Sequence, residues 1–244
     1  DWWAAGVAAA LLLPLVLAHA GGTVDDWWDT AFVGAWSQGQ ALGFAEPFLD
    51  TGFSHPRFMW NAWLLLQALV VHGSGISVHG LQSGSLAALV CLLSISAQAG
   101  FARALFGTAM PVARLATIVS VPCWLLATEA IPYFTRLHQD KFVAILVFVP
   151  VMLSAALACL GKLGGKRRLD FLLLFAAAAA VCSVHSLVYC IGLLGVLVSV
   201  ALMLGRQAVG SGARLAGTVL IAAGAPLLYP LGQAWALSSR LHAQ

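Results

Sequence analysis

Between Lys141 and Lys162 the chain runs for twenty residues, "FVAILVFVPVMLSAALACLG", without a charge. As a helix rising about 1.5 Å per residue, such a stretch covers the roughly 30 Å hydrocarbon core of a bilayer. It is one of eight apolar runs, at 2–20, 58–72, 77–102, 110–131, 141–161, 170–189, 190–205 and 215–236. Hydrophobic residues make up 61% of the 244 and charged residues 9%, where soluble domains carry about 25% charged. These features predict an all-α polytopic membrane protein, with 1–244 as a single transmembrane domain. The net charge of +3 implies no nucleic-acid partner. Cys91, Cys123, Cys159, Cys182 and Cys190 lie in apolar runs without a CxxC pair and read as small buried thiols, with a disulfide or metal site as the alternative.

Basic residues orient the runs. "GKLGGKRR" (161–168) and "GRQAVGSGAR" (205–214) are expected on the cytoplasmic side. The hairpin of 170–189 and 190–205 between them agrees with that. Counting backwards, 132–140 is outside, Arg103 and Arg114 are inside, and 21–76 is an outer segment. The run 58–72 would then begin and end on one face. It has only 15 residues, against the ~20 a span needs, so it is expected as a re-entrant or half helix embedded in the outer leaflet. That leaves about seven transmembrane helices. All seven histidines and seven of the nine acids then fall at or near the outer face. Neither set was used to orient the runs. Their accumulation points to a polar site there, or to mere tolerance of acids on that side.

The first outer segment opens with "GTVDDWWDTAFVG". Asp25 and Asp26 stand where a helix would begin, a favourable place for a carboxylate. Trp28, Phe32 and Trp36 recur every four residues, with Asp29, Ser37 and Gln40 at other positions. An amphipathic interfacial helix over 26–43 is expected. Pro47 and Pro56 break the chain before "FMWNAWLLLQALVV" enters the membrane. A cap requires a single acid, so the adjacent pair raises a second reading, a general base for a reaction at the membrane surface.

In its order of parts the chain resembles the GT-C glycosyltransferases. These parts are one helix, a long outer loop opening on "DDWW", an interfacial helix, "HPR" before a hydrophobic half helix, "AQAGFARALFG", and an outer loop ending "HQD". The resemblance implies an integral membrane enzyme. It would transfer a sugar from a polyprenyl-phosphate donor to a glycan, lipid or protein acceptor on the outer face, with inversion at the anomeric carbon. The expected setting is a bacterial inner membrane with the site facing the periplasm. It also implies that Asp25, or its rival Asp26, is the catalytic carboxylate. His138 and Asp140 would take the place of an acid pair that holds a divalent cation. The imidazole at that position suits Mn²⁺ or Zn²⁺ better than Mg²⁺. Donor phosphate contacts are expected at Arg136, Lys141, His185, His55 and Arg57. The structural alternatives are a helix cap or a Lys141 ion pair for Asp140, snorkelling for Lys141, and a satisfied bundle histidine for His185. Many members continue with further helices or a soluble outer domain, whereas this sequence ends soon after "LYPLGQAW". That departure and His138 keep a second expectation open: a non-catalytic scaffold subunit working with partner subunits. A transporter would need ionisable residues at mid-membrane depth, and the runs carry almost none.

Overall fold

The computed structural model describes residues 2–19, 26–39, 61–107, 111–112, 114–116, 118–119, 136–161, 167–204, 209–232 and 235. The described residues are helical, with no strand among them. The helices are α1 (Trp2–His19), α2 (Asp26–Ser37), α3 (Ala62–Ser74), α4 (Val78–Phe106), α5 (Asp140–Gly161), α6 (Arg167–Val184), α7 (Ser186–Leu204) and α8 (Val209–Gly224). Among the described residues, three helical stretches are long and apolar enough to cross a membrane: α4, α5 and Ala213–Gly232. They mark the chain as a membrane protein. The apolar stretches Trp3–Ala18, Ala62–Ser74 and Ser186–Leu202 are shorter. The chain packs as two compact units, Asp1–Val147 and Phe148–Gln244, where one domain over 1–244 was expected.

In the first unit α1 packs on the Ala87–Phe106 part of α4. It buries Ala4, Ala8, Leu12 and Val16, one residue per turn, and leaves Trp3, Leu11 and Leu17 exposed. A helix that is apolar all round yet buries one narrow stripe is suited to lipid on its other faces. Its neighbour α2 ends earlier than the 26–43 expected, because Gly39 takes a φ of 80° that a helix cannot continue. Both ends of α3 are closed. Asn61 caps the start by accepting from the N–H groups of Trp63 and Leu64, and Gly75 closes the end at φ 71° with its N–H on the Val71 carbonyl. Its 13 residues span about 20 Å, short of a ~30 Å hydrocarbon core. Helix α4 runs four residues past the expected end at 102. It contains a π-helical turn, Leu81–Leu86, just inside its start.

In the second unit α6, α7, α8 and the Val149–Gly161 part of α5 pack on one another. The approach of α7 to α5 depends on glycine. A Cβ at Gly195 would stand 2.9 Å from Leu153 Cδ2, and one at Gly192 would stand 3.3 Å from Met152 Sδ. The break between α6 and α7 falls at His185 rather than after 189. Near the end of α8, Pro226 has no N–H to give and the chain tightens into a 3₁₀ turn, Ala225–Leu227. Two nearby carbonyls accept from side chains instead. Tyr189 Oη donates to the Ala223 oxygen at 2.6 Å, and Cys182 Sγ to that of Pro226 at 3.3 Å.

Candidate functional site

Polar side chains gather inside the first unit. Helix α5 begins at Asp140, which is fully buried, and Gln139 before it has the extended backbone of a cap position. Both oxygens of the Asp140 carboxylate accept hydrogen bonds. Oδ1 takes the N–H of Lys141 at 2.6 Å, and Oδ2 takes Asn61 Nδ2 at 2.8 Å. Asn61 is therefore used twice, since its Oδ1 also caps α3 at 3.1 and 3.2 Å. That double use fixes which way its amide faces, because only the oxygen can receive the two backbone N–H groups.

A second line of bonds ends one step upstream. Thr30 Oγ1 on α2 donates to Gln82 Oε1 at 2.8 Å, and Gln82 Nε2 donates to Gln67 Oε1 at 2.9 Å. Gln67 Nε2 lies 3.5 Å from the carbonyl oxygen of His138, and Trp63 Nε1 donates to the same oxygen at 2.7 Å. Every donor points the same way along this line, from α2 through the π-helical turn of α4 and the middle of α3 to His138. Gln67, Gln82, Trp63 and His138 are all buried. A buried amide without partners costs about 1–3 kcal/mol, so the helices are held to the register that satisfies all of them. At its far end α3 is tied again to α2, by His72 Nδ1 at 2.8 Å from the Ser37 carbonyl oxygen.

The site residues expected from the sequence divide accordingly. Asp140 and His138 meet α3, with Arg136 half-buried two residues before His138. Lys141 places its Nζ 5.9 Å from the centroid of the Phe142 ring, at cation–π range. Asp26 opens α2. Asp25, His55 and Arg57 lie outside the described residues. His185 belongs to the second unit. Its Nδ1 stands 3.4 Å from the Val188 N–H, a capping contact at the start of α7.

Three contributors escaped the sequence reading: Asn61, Gln67 and Gln82. Each is a lone amide within or beside an apolar run, and that was the available signal, because such a group demands a partner. Asp29 was placed off the packed stripe, yet it is 3% exposed and shares its face with Phe32 and Val33. The packed face is thus turned one residue away from the Trp28–Phe32–Trp36 line, although Phe32 and Trp36 do meet, with ring centroids 5.6 Å apart.

The fit of a divalent cation can be judged from the donor set. Among the described residues no three of His, Cys, Asp or Glu gather as metal ligands. The two oxygens of Asp140 already face N–H donors rather than an open position. Among the described residues, His138 and Asp140 lack the third ligand that would complete a cation site.

What the fold defines is a class: a helical membrane protein with a buried, hydrogen-bonded polar cluster in its first unit. No protein family, curated protein or solved structure matches the chain.

Proposed function

We propose that the chain is a membrane glycosyltransferase that moves a sugar from a polyprenyl-phosphate-linked donor to an acceptor on the outer face of a bacterial inner membrane. The proposal includes seven spanning helices, with α3 embedded from the outer side. One observation carries it. The Asn61–Asp140 bond joins the start of α5 to the tip of α3, and a second line from His138 through Gln67 and Gln82 reaches Thr30 on α2, which starts beside Asp25. The link supports the reading by bringing α2, α3 and the segment 136–141 together; Asp25, His55 and Arg57 themselves lie outside the described residues.

In this mechanism Asp25 or Asp26 takes the proton of an acceptor hydroxyl. The hydroxyl oxygen bonds to the anomeric carbon as the carbon–oxygen bond to phosphate breaks, and polyprenyl phosphate leaves with the electron pair. Inversion follows from attack opposite the leaving group. Arg136 and Lys141 take the phosphate charge. No step runs through a cation. The acceptor is a glycan, lipid or protein hydroxyl. The test is transfer from a polyprenyl-phosphate sugar in liposomes. Asp25→Asn or Asp26→Asn is expected to lose about 10²–10⁴-fold in rate. Full activity in both variants overturns the mechanism.

A second reading, a scaffold subunit with partner subunits, is favoured by a different observation. His138, Gln139 and Asp140 are 1%, 2% and 0% exposed, as in a filled interior. It predicts no transfer by the unchanged protein alone and stable co-purification with membrane partners.

A further inference from the structure

Asn61 makes two kinds of bond that need opposite ends of its amide. The oxygen holds the first turn of α3, and the nitrogen holds Asp140 at 2.8 Å. Asp140 is the first residue of α5, and the turn it opens carries Lys141. On its other side the chain folds back within the same turn, where the Gln139 N–H donates to the Arg136 carbonyl oxygen at 2.9 Å. Residues 136–141 therefore form one short segment with two cationic side chains. Among its contacts with α3 are Asn61 at Asp140, and Trp63 and Gln67 at His138.

We infer that Asn61 is a positioning residue of this segment. From the tip of α3 it holds Asp140 and so fixes where Arg136 and Lys141 stand to receive a lipid-borne phosphate. The inference rests on the proposed reading of Arg136 and Lys141 as donor-phosphate contacts. A serine at 61 would still cap α3 but is too short to reach Asp140. An aspartate at 61 would also cap α3, yet it sets a second carboxylate against that of Asp140. Adding Asp140→Asn resolves that conflict. The amide introduced at 140 keeps its oxygen on the Lys141 N–H and turns its nitrogen towards the carboxylate introduced at 61. Donor and acceptor trade places and every bond is remade.

Two readouts test the inference in detergent-solubilised full chain: thermal unfolding, and binding of a short-chain polyprenyl monophosphate. Asn61→Asp is expected to lower Tm by about 8 °C or more and to weaken binding about tenfold. The exchange Asn61→Asp/Asp140→Asn is expected to recover most of both losses. Asn61→Ser is expected to weaken binding about as much as Asn61→Asp, with a smaller fall in Tm. If the exchange variant is no more stable than Asn61→Asp, the contact is not made and the inference falls. If it recovers Tm but not binding, or if Asn61→Ser binds as the unchanged protein does, Asn61 is only a structural tie and the positioning role is overturned. Failure of the unchanged protein to bind the monophosphate overturns the functional reading and the positioning role with it. In that case the Tm measurements still decide the Asn61–Asp140 contact.

Discussion

The ten buried polar or charged residues among those described all lie between Asp29 and Asp140, in the first unit, while the second unit buries aliphatic side chains with Tyr189 and two cysteines. Within one chain, then, two ways of holding helices together stand side by side. The first unit uses directional bonds between side chains far apart in sequence, such as Thr30 to Gln82 and Asn61 to Asp140. The second uses close approach at Gly192 and Gly195, and side-chain bonds to backbone carbonyls, as at Tyr189 and Ser199. Small residues at helix contacts are what membrane packing favours when there is no water to squeeze out. Buried polar groups are expensive there and mark function or strict register. A site is accordingly expected in the first unit.

The largest separate effect is expected from Trp63. Trp63→Ala removes a large buried ring and its bond to His138 together, at about 4 kcal/mol. The native cysteines report where the damage lies. Cys91 is buried in the first unit, and Cys159 and Cys182 are buried in the second. Maleimide labelling should rise at Cys91 before it rises at the other two. Uniform labelling of all three would mean that the units unfold together and the division has no energetic meaning.

Gly195→Leu should produce the mirror image at about 2 kcal/mol, since the side chain must displace Leu153 and push α7 from α5. Labelling should then rise first at Cys159 and Cys182. Gly195→Ala should be milder, because the 2.9 Å neighbour is the end of a flexible leucine that can turn aside.

A matched pair sharpens the contrast further. Trp63 and Tyr189 each donate to one backbone carbonyl, at 2.7 and 2.6 Å. Tyr189→Phe should cost about 1 kcal/mol by thermal unfolding, and Trp63→Phe somewhat more, because it also removes buried ring volume. Only Trp63→Phe should weaken polyprenyl monophosphate binding, because only its carbonyl belongs to the segment with Arg136 and Lys141. Equal loss of binding in both would erase the functional distinction between the units.

The helical character of the chain and its membrane class were legible in the sequence; the division into two units was not. Long uncharged stretches gave the helices and the membrane, because no other structure satisfies backbone groups in lipid without partners from elsewhere. The run at 58–72 was too short to span by its length alone, and its helix has 13 residues, although Trp3–Ala18 and Ser186–Leu202 are short as well. The clustering of acids and histidines drew attention to 138–140. The pairings were not legible. That Gln67 meets Gln82 depends on a π-helical turn, and nothing in "LQSGSL" announces one. Hydrophobic spacing misjudged Asp29 because Trp28 and Trp36 outweigh a single acid in any apolar stripe, although Phe32 and Val33 fix the packed face. The break at His185 was hidden inside an uninterrupted apolar run. A ring nitrogen facing an N–H three residues on can start a new helix without glycine or proline.

The smallest effect is expected at Ser199, and its smallness is the point. Its hydroxyl donates to the Gly195 carbonyl one turn back, at 2.9 Å. That oxygen sits mid-helix, where it also serves as a ladder acceptor, so removing the hydroxyl strands no group. Such back-bonding adds little and slightly bends a helix. Ser199→Ala should therefore change stability by less than about 0.5 kcal/mol, in either direction. Thr30→Val makes the corresponding change in the first unit and should cost more, because Gln82 Oε1 then loses the hydroxyl that donates to it. Thermal unfolding of the two variants side by side measures the contrast directly. If Ser199→Ala were the more damaging, polar bonds would matter as much in the second unit as in the first. The concentration of buried polar residues between 29 and 140 would then say nothing about where the site lies.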